Sequence, residues 1–223
     1  MPRLTPLQAF ALKVLAWLPA CFAAWYWTAV LWVWAPVQVA RGVLRGLWPT
    51  LVSGVTLGAD QFGPGGLSRG HANYLVQLAT TIKVGIPGAH GAVGVLEPTL
   101  NPLVYGYALP LFAALALATP LSQERRLAQG AVALVVIWIT QSFGLVGDAL
   151  KAIAFDSGPA GAAAAAQAGL DLNAIALAYQ FGYLILPAIV PAALWLAMNL
   201  DFIARLIGRA GEPGRPDHGQ TAA

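Results

Sequence analysis

The chain has 223 residues, 58% of them hydrophobic and 9% charged, with a formal net charge of +3 and one cysteine. Soluble domains carry about 25% charged residues, so a water-covered surface is excluded for most of this chain. A lone Cys21 excludes an internal disulfide, and basic residues scattered through loops and tail suit anionic lipid headgroups, with no clustered stripe for nucleic acid.

Four stretches lack Asp, Glu, Lys and Arg altogether: residues 14–40, 98–123, 127–147 and 172–200. Roughly 20 apolar residues cross the ~30 Å hydrocarbon core, so each is long enough to span. The first is preceded by Arg3 and Lys13, as a signal peptide would be, but it runs on through Trp25, Trp27, Trp32 and Trp34. That exceeds a 7 to 15 residue signal core, and a retained helix is expected. Trp17 and the Trp32/Trp34 pair lie roughly 23 Å apart along a helix, near both interfaces. Cys21, inside this apolar helix, reads as a small filler.

Residues 37–47 continue the helix with Arg41 and Arg45 on one face. They are expected either to lie in the interface with the arginines snorkelling, or to fray. Between residues 50 and 97 the pattern becomes extended. Strands are expected over 50–57, 73–84 and 91–96, with turns at Gly63-Pro64-Gly65-Gly66 and Ile86-Pro87-Gly88. Three short strands sit near the limit of independent stability, so the module should lean on helices or on another protein.

The second span opens on Asn101-Pro102 and holds Tyr105, Tyr107 and Pro110, which predicts a kinked outer third packed against neighbours. On the third, Gln141, Gly144, Asp148 and Lys151 recur at helical spacing and share one face, and Gly144 with Gly147 permits close helix approach. Residues 156–169, Gly-Pro and then alanines, read as an external loop with one or two helical turns. The last span carries Asn173, Gln180 and Tyr183, and its Pro187 and Pro191 predict a bend; from Gly208 the chain reads as a disordered tail.

Chemistry is sparse. Gly144-Leu145-Val146-Gly147-Asp148 misses the spacing of a membrane aspartyl protease, and no Gly-x-Ser-x-Gly elbow or phosphate loop is present. His71 and His90 flank the second strand and could meet Asp60 or Glu97, but without a closely spaced pair they make a weak metal set. Asn101, Tyr105, Gln141 and Gln180 gather by depth toward the outer leaflet, either as a polar pocket or as hydrogen-bonding glue between helices. No cofactor or metal is expected. The basic residues divide with Arg125 and Arg126 on a short turn, placing both termini in the cytoplasm by the positive-inside rule.

The run Asn101-Pro102-Leu103-Val104-Tyr105-Gly106-Tyr107-Ala108-Leu109-Pro110-Leu111, with Trp17-Leu18-Pro19 and residues 22–26, resembles the exosortase H-associated membrane proteins. The resemblance implies a companion of exosortase H, a transpeptidase-like enzyme of Gram-negative inner membranes that handles proteins with a C-terminal sorting signal. That enzyme relies on Cys, Arg and His at the outer face, a set this chain lacks, so a partner and not a peptidase is implied.

The expectation is therefore a membrane all-α protein of four transmembrane helices with a small β-rich extracytoplasmic insertion. It divides at 1–49, first helix and interfacial extension; 50–98, insertion; 99–205, three further helices; and 206–223, disordered cytoplasmic tail. It would sit in the bacterial inner membrane as a non-catalytic accessory touching an exosortase-type transpeptidase or its substrates. Expected contacts are Asn101, Tyr105, Tyr107, Gln141, Asp148, Lys151 and Gln180. The alternative is a small transporter or channel subunit, which the absence of an internal repeat disfavours.

Overall fold

The computed structural model describes residues 4–62, 68–85 and 93–210. Helix α1 (Pro6–Trp27) starts in a capping box: Thr5 Oγ1 accepts from the Gln8 amide and Gln8 Oε1 accepts from the Thr5 amide, with Pro6 in the first turn. The chain then turns through Thr28, whose hydroxyl donates to the Ala24 carbonyl at 2.6 Å, into α2 (Ala29–Leu47). Strands β1 (Val52–Phe62) and β2 (Ser68–Thr80) follow, then β3 (Lys83–Gly85), β4 (Val93–Val95) and β5 (Thr99–Leu100).

Short α3 (Leu103–Gly106) and α4 (Ala108–Ala118) lead to α5 (Gln123–Lys151), which continues as a π-helical turn over Ala152–Asp156. After α6 (Gly158–Gln167), helix α7 (Leu172–Gln180) passes through a second π-helical turn, Phe181–Ile185, into α8 (Leu186–Met198) and α9 (Leu200–Ala210).

Among the described residues two larger cores divide the molecule, and a small third cluster joins Ala29 and Val33 of α2 to Leu103 of α3. In the first, Ala108, Phe112 and Ala116 of α4 meet Ala133 and Ile137 of α5 and Trp195 of α8, and Phe10 of α1 stacks on Trp195. Its outward surface is apolar: Leu127, Val132, Val135, Ile139 and Phe143 form an exposed line along α5, with Leu12 and Leu15 on α1 and Leu184 and Ile189 beyond α7. A soluble protein would not leave such a belt in water; hydrocarbon covers it at no cost. Among the described residues, three helical runs are long and apolar enough to cross a membrane, Pro6–Trp27, Gln123–Asp156 and Leu172–Met198. The leg over Leu103–Ala118 is shorter.

The second core is a lobe in which the sheet is roofed by helices. Leu51, Val52, Val55, Val76 and Leu78 pack on Val37, Ala40 and Leu44 of α2, on Leu145 and Ala149 of α5, and on Ala165 of α6. Residues 37–47 are thus not frayed: the helix runs regularly to Leu47, and its apolar line Val33, Val37, Ala40, Leu44 is buried. The expected 156–169 loop is the regular helix α6, as an alanine run with the highest helix propensity favours.

The sheet also differs in detail. Strands β1 and β2 form a longer antiparallel hairpin than expected, with β5 on its far side in the order β1-β2-β5, while β3 and β4 pair separately. The expected strand over 73–84 breaks at Thr81–Ile82, where Thr80 Oγ1 accepts from the Ile82 amide at 3.2 Å. The predicted turns at residues 63–66 and 86–88 lie outside the described residues. At the opposite end α9 runs on past the expected boundary at 205 to Ala210, and Phe202 in its first turn packs against Phe10 and Trp195.

Candidate functional site

The boundary between the two cores is built by glycines. Gly144 and Gly147 on α5 face the last span, where a Cβ on Gly182 would come within 2.8 Å of Gly144 Cα, and one on Gly147 within 3.3 Å of the Tyr179 amide nitrogen. The backbones cross this closely because no side chain separates them. Into the same gap comes Tyr105 of α3, 2% exposed, its ring packed over Gly144.

The Tyr105 hydroxyl lies beside the Asp148 carboxylate, one turn along α5, and the two groups interact electrostatically. Its ring lies edge-on to Tyr183, with centroids 6.3 Å apart, and Tyr183 stacks on Tyr179 at 5.6 Å and 5°. Lys151 closes the row with its ammonium 5.2 Å from the centre of the Tyr179 ring, a cation held against a π face. The same ammonium donates to Asp156 Oδ2 at 2.6 Å. The wider π-helical turn brings partners five residues apart together, as it does again for the Ser157 hydroxyl on the Ala152 carbonyl.

Below this row, Gln141 is 2% exposed and donates from Nε2 to the Pro102 carbonyl at 3.0 Å, which fixes the start of α3. Asn101 is exposed and caps the same start, its Oδ1 accepting from the Leu103 amide at 3.1 Å. Tyr107, half-buried, marks the break between α3 and α4. Pro110 falls in the first turn of α4, where its missing N–H is harmless.

The structure thus brings Tyr105, Asp148 and Lys151 into one row, with Gln141 and Asn101 securing the helix that carries Tyr105. Gln180 points outward and is exposed. Sequence reasoning missed Tyr179 as the stacking partner, although its spacing of four from Tyr183 was a usable signal. The outer rim of the row leaves Phe143, Phe181 and Tyr183 exposed at 43%, 45% and 38%, the two phenylalanines in edge-to-face contact at 6.5 Å.

Elsewhere, His71 Nδ1 and Asp60 Oδ1 are 2.9 Å apart on the exposed hairpin. His90 lies outside the described residues, among which no group of three or more His, Cys, Asp and Glu is placed to hold a metal. Cys21 lines an apolar groove of about 240 Å³ with Trp25, Trp32, Leu109 and Pro110.

A lipid-facing belt, long apolar helices and one folded lobe define a polytopic membrane protein. The family model for exosortase H-associated membrane proteins matches residues 4–202, and the chain belongs to that family. No curated protein and no solved structure matches it.

Proposed function

We propose that this chain is a non-catalytic accessory of an exosortase in the bacterial inner membrane. It would cross the bilayer four times, with both termini in the cytoplasm and the sheet lobe in the periplasm. Family membership carries this reading, since the family is described by its association with exosortase H. The row of Tyr105, Asp148, Lys151 and Tyr179 supports it, because these polar groups are engaged with one another and hold α3, α5 and α7 in register. The exposed rim of Phe143, Phe181 and Tyr183 above the glycine crossing supplies a rigid aromatic surface against which a partner's transmembrane helix can pack.

Under this reading Asn101, Tyr107, Lys151 and Gln180 make the contact together with the aromatic rim, while buried Tyr105 and Gln141 and half-buried Asp148 hold that surface in place from behind. The test is co-purification of exosortase H with tagged, full-length protein from native membranes, read beside processing of sorted substrates in a deletion strain. The enzyme should be recovered and processing impaired. Recovery of the chain alone, with processing intact, overturns the proposal.

A further inference from the structure

The groove beside Cys21 runs along the seam between two legs of the bundle. Cys21, Ala24, Trp25 and Thr28 recur on α1 at intervals of three, one and three, which places them on one helix face, and Pro110 and Ala113 of α4 stand opposite. Because Cys21, Ala24 and Ala113 are small, the two helices meet around a gap of about 240 Å³. The same α1 face continues one turn back to Trp17, which is 44% exposed and lies within the apolar run Pro6–Trp27, so the groove is continuous with the outward apolar surface.

Nothing in this groove asks for a polar guest. The Thr28 hydroxyl gives its proton to the Ala24 carbonyl at 2.6 Å and accepts from Trp32 Nε1 at 2.7 Å, which engages both groups. Trp25 Nε1 is sealed from the surface by protein atoms, and the Cys21 thiol is a weak donor. A held water needs two to four polar partners, so water has no footing here. An empty groove is no better, because its walls forfeit dispersion contacts that hydrocarbon would supply.

Size separates the two apolar guests that a membrane offers. One turn of an α-helix, about 10 Å across with a 5.4 Å pitch, fills roughly 420 Å³. A partner's helix therefore cannot enter the gap and at most lays side chains over its mouth. A polymethylene chain is one carbon wide and bends to follow the walls. Helix α1 also has the most to gain from such a filler, since it buries none of its own residues.

We infer that a single phospholipid acyl chain fills this groove and forms part of the packing between α1 and α4. The inference stands apart from the accessory reading, and either can fail alone.

The experiment uses full-length protein in nanodiscs of phosphatidylcholine that carries a diazirine on one acyl chain, photolysed and mapped by mass spectrometry. Labels should fall on the groove walls at Ala24 or Ala113 as well as on exposed Val135 of α5. Ala113→Leu fills the gap from α4 and Cys21→Leu fills it from α1. Each should cut groove labelling by at least about tenfold, equivalent to about 1.4 kcal/mol, while Val135 is labelled as before. Removal of lipid in detergent should lower the melting temperature of the wild type more than that of either filled variant, as the loss of a ligand bound to the folded state requires. Labels confined to the belt with silent groove walls overturn the proposal, as does groove labelling that survives both substitutions. If native membranes fed the same lipid label Val135 but not the groove, while nanodiscs label both, a protein covers the seam in the cell and the proposal falls.

Discussion

The ring of Tyr105 occupies the space in which a side chain at residue 144 would stand, so Gly144 and Tyr105 act as socket and plug between α5 and α3. The contact closes to backbone and ring atoms, neither of which swings aside as a flexible side chain would. Gly144→Ala should destabilise the protein by about 1 to 3 kcal/mol, the cost of overpacking. Tyr105→Leu in the same chain should recover part of that loss, because the two positions share one volume. Thermal unfolding of the single and double variants in detergent measures both effects.

The hydroxyl of Tyr105 makes a separate contribution through Asp148. Asp148→Asn keeps an acceptor oxygen and should cost little, whereas Asp148→Leu leaves the phenol without its partner in a buried position. The leucine variant should lose about 1 to 3 kcal/mol, the penalty of an unmet buried donor. Tyr105→Phe in the leucine background should then be nearly neutral, which separates the hydroxyl from the ring.

At the far end of α5 a reciprocal amide pair closes the bundle. Gln129 Nε2 donates to Asn199 Oδ1 and Asn199 Nδ2 donates to Gln129 Oε1, both at 3.2 Å, while Asn199 also donates to the Trp195 carbonyl at 2.9 Å. Gln129→Leu should unfold at lower temperature than wild type. A double-mutant cycle with Asn199→Leu should return a coupling of about 0.6 to 1.7 kcal/mol, the range for side-chain hydrogen bonds between membrane helices. A coupling of zero would mean that the pair adds nothing beyond packing.

How far these features are visible in the residues depends on the range over which they act. The apolar stretches, the break near Pro102 and Tyr107, and the small faces of Gly144 and Gly147 are local consequences of lipid and backbone geometry, and they can be read directly. Helix α2 cannot be: the line Val33, Val37, Ala40, Leu44 declares an amphipathic helix, but lipid and a β-sheet are equally apolar covers for it. The Gln129–Asn199 pair joins residues 70 apart, and no local pattern announces it. Lys151 and Asp156 meet because a π-helical turn changes the period, where α-helical spacing would send them to different faces. The alanine run that became α6 was legible by propensity, yet its low complexity resembled a loop.

Alkali should act through Tyr74 on the hairpin. Burial first, then its hydrogen bond with Tyr26, hold the Tyr74 phenol above its ordinary value of 10.0. The folded state thus keeps a proton that the unfolded chain releases near pH 10. The stability from Tyr74 is fully present below pH 10 and is lost as pH rises through the folded-state value. Tyr74→Phe, which cannot ionise, should flatten the fall in melting temperature above pH 10, measured by intrinsic fluorescence. An unchanged slope would place the alkaline sensitivity elsewhere.

The short leg over Leu103–Ala118 decides the topology, because it alone separates the sheet lobe from the start of α5. At 1.5 Å per residue it covers about 24 Å against a hydrocarbon core of ~30 Å. Membranes accommodate such a deficit by local thinning at fractions of a kcal/mol per Å, so the leg can still cross. In a Cys21→Ala background, Thr56→Cys on exposed β1 and Glu124→Cys at the exposed start of α5 report on the two sides. A membrane-impermeant maleimide applied to spheroplasts should label position 56 at once and position 124 only after lysis. Labelling of both before lysis would mean that the leg does not cross. The reversed pattern would keep the crossing but invert the protein, putting the sheet lobe in the cytoplasm.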